Sequence, residues 1–194
     1  MGWLRTLVVL ACCLGVVGCS DDSPGPEPGP SPTGSVSTPS PSSSSSAPEP
    51  APTEPALPGA AKEATERGAR AFIAYYWDLI NYAQVTGDVT ALKRVSGPNC
   101  DGCNAGIEGI RKIYDDGARV RGGEHTVAIK EIKKLKSRSG NARAFEAVVT
   151  ATHEGQTIIP SEGPDDVRGP GADIFDVYVL WVSNAWRLDV MEVQ

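Results

Sequence analysis

The spacing of apolar residues divides the chain into three stretches. Leu7 to Val17 is a continuous apolar run, Ser20 to about Pro58 holds only Val36 and Leu57 as larger aliphatics, and periodic patterns begin after Gly59. In that last stretch Ala69, Phe72, Ile73, Tyr76, Ile80 and Ala83 recur at helical spacing, which predicts an amphipathic helix over 62–86. Gly87 reads as its stop, and Asp88 as the cap of a short second helix over 89–95 closed by Ser96, Gly97 and Pro98. A third helix is predicted from Asp101 to Asp116, with Cys103, Ile107, Ile110 and Tyr114 on one face and Gly117 past its end.

Beyond Gly117 the period changes to that of strands. The stretch 126–135 alternates with a slip of phase near Lys130 to Ile132, implying a bulge. Over 143–153 the alternation is clean, with Phe145, Ala147, Val149 and Ala151 sharing one face with His153 at the strand's end. Gly155 to Gly171, punctuated by Pro160, Pro164 and Pro170, reads as a loop. Ile174 to Val182 is almost continuously apolar, the pattern of a central strand covered on both faces, and Ser183-Asn184 turns it into a last strand carrying Trp186, Leu188 and Val190. Helices followed by antiparallel strands predict an α+β domain: three N-terminal helices packed on a curved antiparallel sheet of about four strands.

This order, with the terminal hairpin from Val179 to Leu188, resembles the nuclear-transport-factor-2-like cone fold. More closely, the run Tyr75-Tyr76-Trp77-Asp78-Leu79-Ile80-Asn81-Tyr82-Ala83, then Thr86-Gly87-Asp88, then Cys100-Asp101-Gly102-Cys103, is similar to a family of uncharacterised actinobacterial lipoproteins that carry a domain of unknown function. The resemblance extends over residues 57–194 and implies a fold and a location without an activity.

The N-terminal run belongs to an export signal. Residues 1–18 combine a short positive start at Arg5, an apolar segment and small residues before Cys19, and the segment is too short to span a bilayer as a mature helix. Val16-Val17-Gly18-Cys19 resembles the bacterial lipobox, which implies cleavage before Cys19 and lipidation of its thiol. Two or more acyl chains anchor stably where one does not. The chain is then expected outside the cytoplasm, held to the outer face of the bacterial cell membrane.

Residues 19–58 read as the lipidated cysteine and a tether. Twelve of the sixteen prolines fall between Pro24 and Pro58 among serine, glycine and threonine, a composition with too little apolar surface to order itself. At about 3.1 Å per residue it reaches at most roughly 120 Å. The net charge of -6 sits mostly here, because residues 59–194 carry only -2. A nearly neutral domain without Lys/Arg blocks argues against nucleic acid as a partner.

The domain 59–194 has few candidates for chemistry. Cys100-x-x-Cys103 in an exported chain reads first as a structural disulfide pinning the third helix. A redox pair is the alternative, since a helix start lowers a thiol's pKa, but the helix-first order is unlike a thioredoxin. A zinc set drawn from Cys100, Cys103, His125 and His153 lacks finger spacing, and neither a metal nor a cofactor is expected. Asp78 interrupts an apolar stretch on the first helix. The candidate pocket residues are Tyr76, His153, Asp176 and Tyr178. The anchor, the long tether and the lack of a convincing catalytic constellation point to a non-catalytic module that binds a small ligand or an envelope protein. The alternative is a small hydrolase, isomerase or lyase using Asp or His in the cavity.

Overall fold

In a computed structural model that describes residues 51–136 and 143–194, the hydroxyl of Thr65 accepts the Gly68 N–H at 3.1 Å and caps helix α1, Glu66–Thr86. Gly87, with φ of 77°, ends the helix. A 3₁₀ turn at Gly59–Lys62 precedes α1, and α2 (Thr90–Val95) and α3 (Asp101–Asp115) follow it, close to the bounds the periodicity predicts. The signal segment, Cys19 and the tether up to residue 50 lie outside the described residues.

Among the described residues seven strands come next: β1 (Arg119–Gly122), β2 (His125–Lys134), β3 (Ala144–His153), β4 (Gln156–Ile159), β5 (Asp166–Arg168), β6 (Gly171–Val182) and β7 (Ala185–Val193). They form two antiparallel sheets, one ordered β2-β3-β6-β7 and one ordered β1-β4-β5. The expected fold, three helices on a single cone-like sheet of about four strands, is therefore corrected. Among the described residues only α1 and α3 are substantial helices, and the domain is strand-rich. The stretch 155–171, expected as a loop, supplies β4 and β5; its prolines Pro160, Pro164 and Pro170 fall between strands, where a missing N–H breaks no ladder.

Other details follow the sequence pattern. The register of β2 on β3 shifts between Ile129 and Glu131, at the expected slip. Ser183 and Asn184 both take positive φ, 50° and 62°, as a two-residue hairpin turn demands.

The larger sheet buries one face. Phe72, Ile73, Tyr76 and Leu79 of α1 join Ala147, Val149, Val177, Val179 and Leu188 in a single buried cluster. Each large side chain in it contributes about 1.5–3 kcal/mol through lost contact with water. Strand β6 is central, between β3 and β7, but covered on one face only. Val177 and Val179 point into the core while Ile174, on the opposite face, is 44% exposed. Its polar residues explain the difference from the expected two-sided burial: Asp176 accepts from Gln194 at 2.9 Å, and Tyr178 donates to Glu146 at 3.1 Å, both on that open face.

Strand β7 would be a bare edge without the segment that precedes α3. Ser96 bridges Leu188 in parallel, and the Gly97 N–H donates to the Leu188 carbonyl at 2.7 Å. Cys100 and Cys103 form a disulfide, 1% and 2% exposed, that holds the first turn of α3 over this contact. Burial at that level keeps an attacking thiolate from the sulfurs, so the pair serves as a fastening and blocks a sheet edge. Gly102 makes the approach possible, because a Cβ there would run into the Met191 carbonyl oxygen.

The described chain ahead of Gly59, residues 51–58, belongs to the same compact unit as the domain. Glu54 accepts from Arg94 of α2 at 2.8 Å. This strap passes along the exposed side of α1, with Pro52 and Pro55 beside Asp78, Tyr82 and Val85.

Two glycines on α3 give a matched test of the α3–β7 contact. Gly102→Ala should lower unfolding stability by about 1–3 kcal/mol through overpacking. Gly106→Ala, with open space before it, should leave stability unchanged or raise it. Urea denaturation of both variants checks this, and equal effects would disprove the close approach.

Candidate functional site

At the C-terminal end of α1 a polar side chain sits where the helix pattern calls for an apolar one. Gln84 follows Ile73, Trp77 and Ile80 along the core-facing stripe and is 8% exposed, the one buried polar residue among those described. A buried carboxamide must be paired or it costs about 1–3 kcal/mol. Its Nε2 donates to the Gly123 carbonyl at 3.3 Å and lies 2.9 Å from His125 Nδ1, while its Oε1 accepts from Gln156 Nε2 at 2.7 Å. Its backbone carbonyl accepts from the Tyr114 hydroxyl at 2.6 Å. One residue thus ties α1 to α3, to the β1–β2 turn, to β2 and to β4.

The network sets a tautomer. A carbonyl such as Gly123's can only accept, so it must face the amide nitrogen of Gln84, and the same nitrogen then presents a hydrogen to His125. In this arrangement His125 Nδ1 is the acceptor and Nε2 carries the ring proton. Asn81, one turn before Gln84, fixes the backbone of the same residue: its Nδ2 donates to the His125 carbonyl at 2.9 Å and its Oδ1 accepts the His125 N–H at 2.8 Å.

Sheet register brings the second histidine alongside. His125 pairs with His153, and His153 pairs with Gly171, in one row across β2, β3 and β6. The two rings lie 5.6 Å apart. Two glycines make room for them. A Cβ at Gly171 would sit 2.7 Å from His153 Nε2, and one at Gly123, which also has φ of 77°, would sit 2.6 Å from Gln156 Nε2. Between these groups is a cavity of about 300 Å³ lined by Gln84, His125, His153, Gln156, Arg168 and Asp173. That is the lower end of the range for small-molecule sites.

Burial is the main reason the His125 pKa falls below its ordinary 6.5; the neighbouring His153 adds to the effect and the Asp173 carboxylate opposes it. The cleft is lined by imidazole and carboxamide groups together with one guanidinium, Arg168, and one carboxylate, Asp173.

The sequence-derived pocket residues do not converge here. His153 lines the cleft. Tyr76 is buried in the core, its hydroxyl 2.8 Å from Ser96 Oγ and its pKa raised by burial. Asp176 and Tyr178 lie on the opposite, open face of the sheet. Asp78 sits outside the core and lines a separate groove of about 490 Å³ under the strap, where partial burial raises its carboxyl pKa. Cys100 and Cys103 are bonded to each other against β7, at the opposite sheet edge from His125, so the four potential zinc ligands are not brought together. No three His, Cys, Asp or Glu side chains converge as a metal set among the described residues. Sequence reasoning missed Gln84, His125 as a cleft residue, and Gln156. A glutamine in phase with the apolar stripe of α1 is the signal that could have found the first of these.

The fold and cleft define a small strand-rich domain with a polar cleft at one end of its helix-covered sheet. By sequence the chain belongs to DUF6318, a family of unknown function, whose pattern matches residues 39–192. No curated protein matches it. Among solved structures it is similar to the intermembrane space region of the chloroplast protein ARC6, at 14% identity and TM-score 0.46, with 66% of this chain and 95% of that one covered. It is also similar to the Kfla4162 protein from Kribbella flavida, at 15% identity and TM-score 0.39, covering 67% and 92%.

The lowered His125 pKa gives stability a direction with pH. The unfolded chain binds more protons than the folded one between the folded pKa and 6.5, so stability is full above that window and falls as pH is lowered through it. Urea midpoints measured downward from pH 7.5 should fall, and His125→Asn, which keeps an acceptor but does not titrate, should weaken the fall. An unchanged profile in the variant would show that His125 is not its source.

Proposed function

We propose that this chain is an extracytoplasmic lipoprotein whose domain binds a small polar molecule in the Gln84–His125–His153 cleft without transforming it. Residues 1–18 act as the export signal, the lipid on Cys19 holds the chain to the outer face of the cell membrane, and the Pro/Ser-rich tether lets the domain stand away from it. The anchoring half of this reading rests on the lipobox-like Val16-Val17-Gly18-Cys19. The binding half rests on one observation: a cleft of about 300 Å³ lined by imidazoles and carboxamides, with Gly123 and Gly171 leaving room for those side chains.

Binding is favoured over acid–base chemistry by how the histidines are held. Nδ1 of His125 is occupied by Gln84, and His153 Nδ1 lies 3.2 Å from the Glu154 carbonyl. Neither ring is hydrogen-bonded to a carboxylate among the described residues, so neither is held in the histidine–carboxylate pair that a catalytic base of the triad type uses.

The mature full-length protein in detergent should respond to a screen of sugars, amino acids and short peptides followed through the imidazole resonances of His125 and His153. At least one class should give saturable shifts at both rings, weakened at least tenfold by Gln156→Leu. The absence of any saturable binder would overturn the binding role. A Cys19→Ala variant that still partitions with membranes would overturn the anchor.

A further inference from the structure

The polar cleft has a second chamber behind it. A cavity of about 360 Å³ lies between α3 and the smaller sheet, with Ile110, Ile113, Tyr114 and Val120 as apolar walls. Gln84, Gln156 and Arg168 line both chambers, so the hydrogen-bonded pair of carboxamides forms the sill between them. Gly106 and Gly109 of α3 also face the apolar chamber, and nothing lies within 4 Å of where their side chains would project.

Arg168 and Asp173 both line the polar chamber. Arg168 borders both chambers; its Nε and Nη2 bind Asp166 at 3.0 and 2.7 Å, and its Nη1 has no hydrogen-bond partner among the described residues. Asp173 lines the same polar chamber and acts electrostatically on His125. The free Nη1 of Arg168 and the Asp173 carboxylate, in a chamber otherwise lined by carboxamide and imidazole groups, complement a head group that carries both charges. A lone anion would meet Asp173, and a lone cation would meet Arg168. The adjoining apolar walls suit a short hydrocarbon or aromatic group on the same molecule.

Resting on the binding role proposed above, we infer that the two chambers together take an α-amino acid with an apolar side chain. Its carboxylate meets Arg168, its ammonium meets Asp173, and its side chain crosses the Gln84–Gln156 sill to lie against Ile110, Ile113 and Tyr114. The amide and imidazole groups provide the remaining hydrogen bonds. Glycine fills the head position alone, and an amine or acid with the same tail satisfies one charge and leaves the other unpaired.

The probes are L-leucine, L-phenylalanine, glycine, isopentylamine, isovalerate and a neutral disaccharide, titrated into the full-length protein by calorimetry and by NMR of the His125, His153 and Tyr114 rings. Leucine or phenylalanine should bind saturably and shift all three rings, with glycine, the amine and the acid each at least tenfold weaker. Gly109→Leu fills the apolar chamber from an open helix position; it should reduce leucine affinity to that of glycine without lowering the melting temperature. Disaccharide binding at the histidines with no amino-acid binding would overturn the two-chamber assignment and leave the binding role standing. Leucine binding unaffected by Gly109→Leu would overturn the place assigned to the side chain. No binding by any probe would overturn the assigned ligand class, while the wider screen above decides the binding role separately.

Discussion

Burying the carboxamide of Gln84 imposes a condition that the C-terminal end of α1 must satisfy in three dimensions. Its donors and acceptor need partners, and those partners come from the β1–β2 turn, from β2 and from β4. The small sheet has little apolar core of its own: among the described residues only Val120 and Ile158, with Ala118 just ahead of β1, form a buried cluster there. Gln84–Gln156 and the Tyr114 hydroxyl on the Gln84 carbonyl therefore carry much of what aligns that sheet and α3 with the main core. Remove the network and the two cavities lose their common wall.

The opposite end of the domain is held by different physics. Trp186 packs edge-on against Trp181 at 5.2 Å and Phe145 at 5.8 Å, and its indole N–H donates to the Glu63 carbonyl at 3.0 Å. Apolar burial there makes a closed end, while hydrogen bonding at the Gln84 end leaves space. The disulfide-pinned start of α3 connects the two, because the same helix covers the edge of β7 and then presents Ile110 and Ile113 to the apolar chamber. Stability and cleft geometry thus share α3.

Much of the main core was legible in the sequence, since long periodic segments dominate it: the stripe from Ala69 to Ala83, the alternation from Phe145 to His153, the slip near Lys130 and the Ser183-Asn184 turn. The smaller sheet was not, because β4 and β5 are four and three residues long and β5 is exposed throughout, which leaves no alternation to read. The cleft was legible only at His153. His125 reaches it through pairing register, and Gln156 through a strand that was not predicted. Asp176 as an acid within an apolar run, and Tyr178 as an aromatic fit to line a pocket, read as candidates for a cone interior; strand alternation sends both outward instead. The spacing of Cys100-Asp101-Gly102-Cys103 does not show the part played by Gly102, which is what allows helix and strand backbones to meet.

The dependence of the cleft on Gln84 has a direct signature in the proton position on His125. Long-range ¹H–¹⁵N NMR of the folded protein at pH 7.5 reads which ring nitrogen is protonated. The Gln84 network requires an unprotonated Nδ1 and a protonated Nε2, changing only when Gln84 is replaced. An Nδ1-protonated His125 in the wild-type protein would mean that Gln84 faces it with oxygen, and the hydrogen-bond arrangement described around the cleft would be wrong.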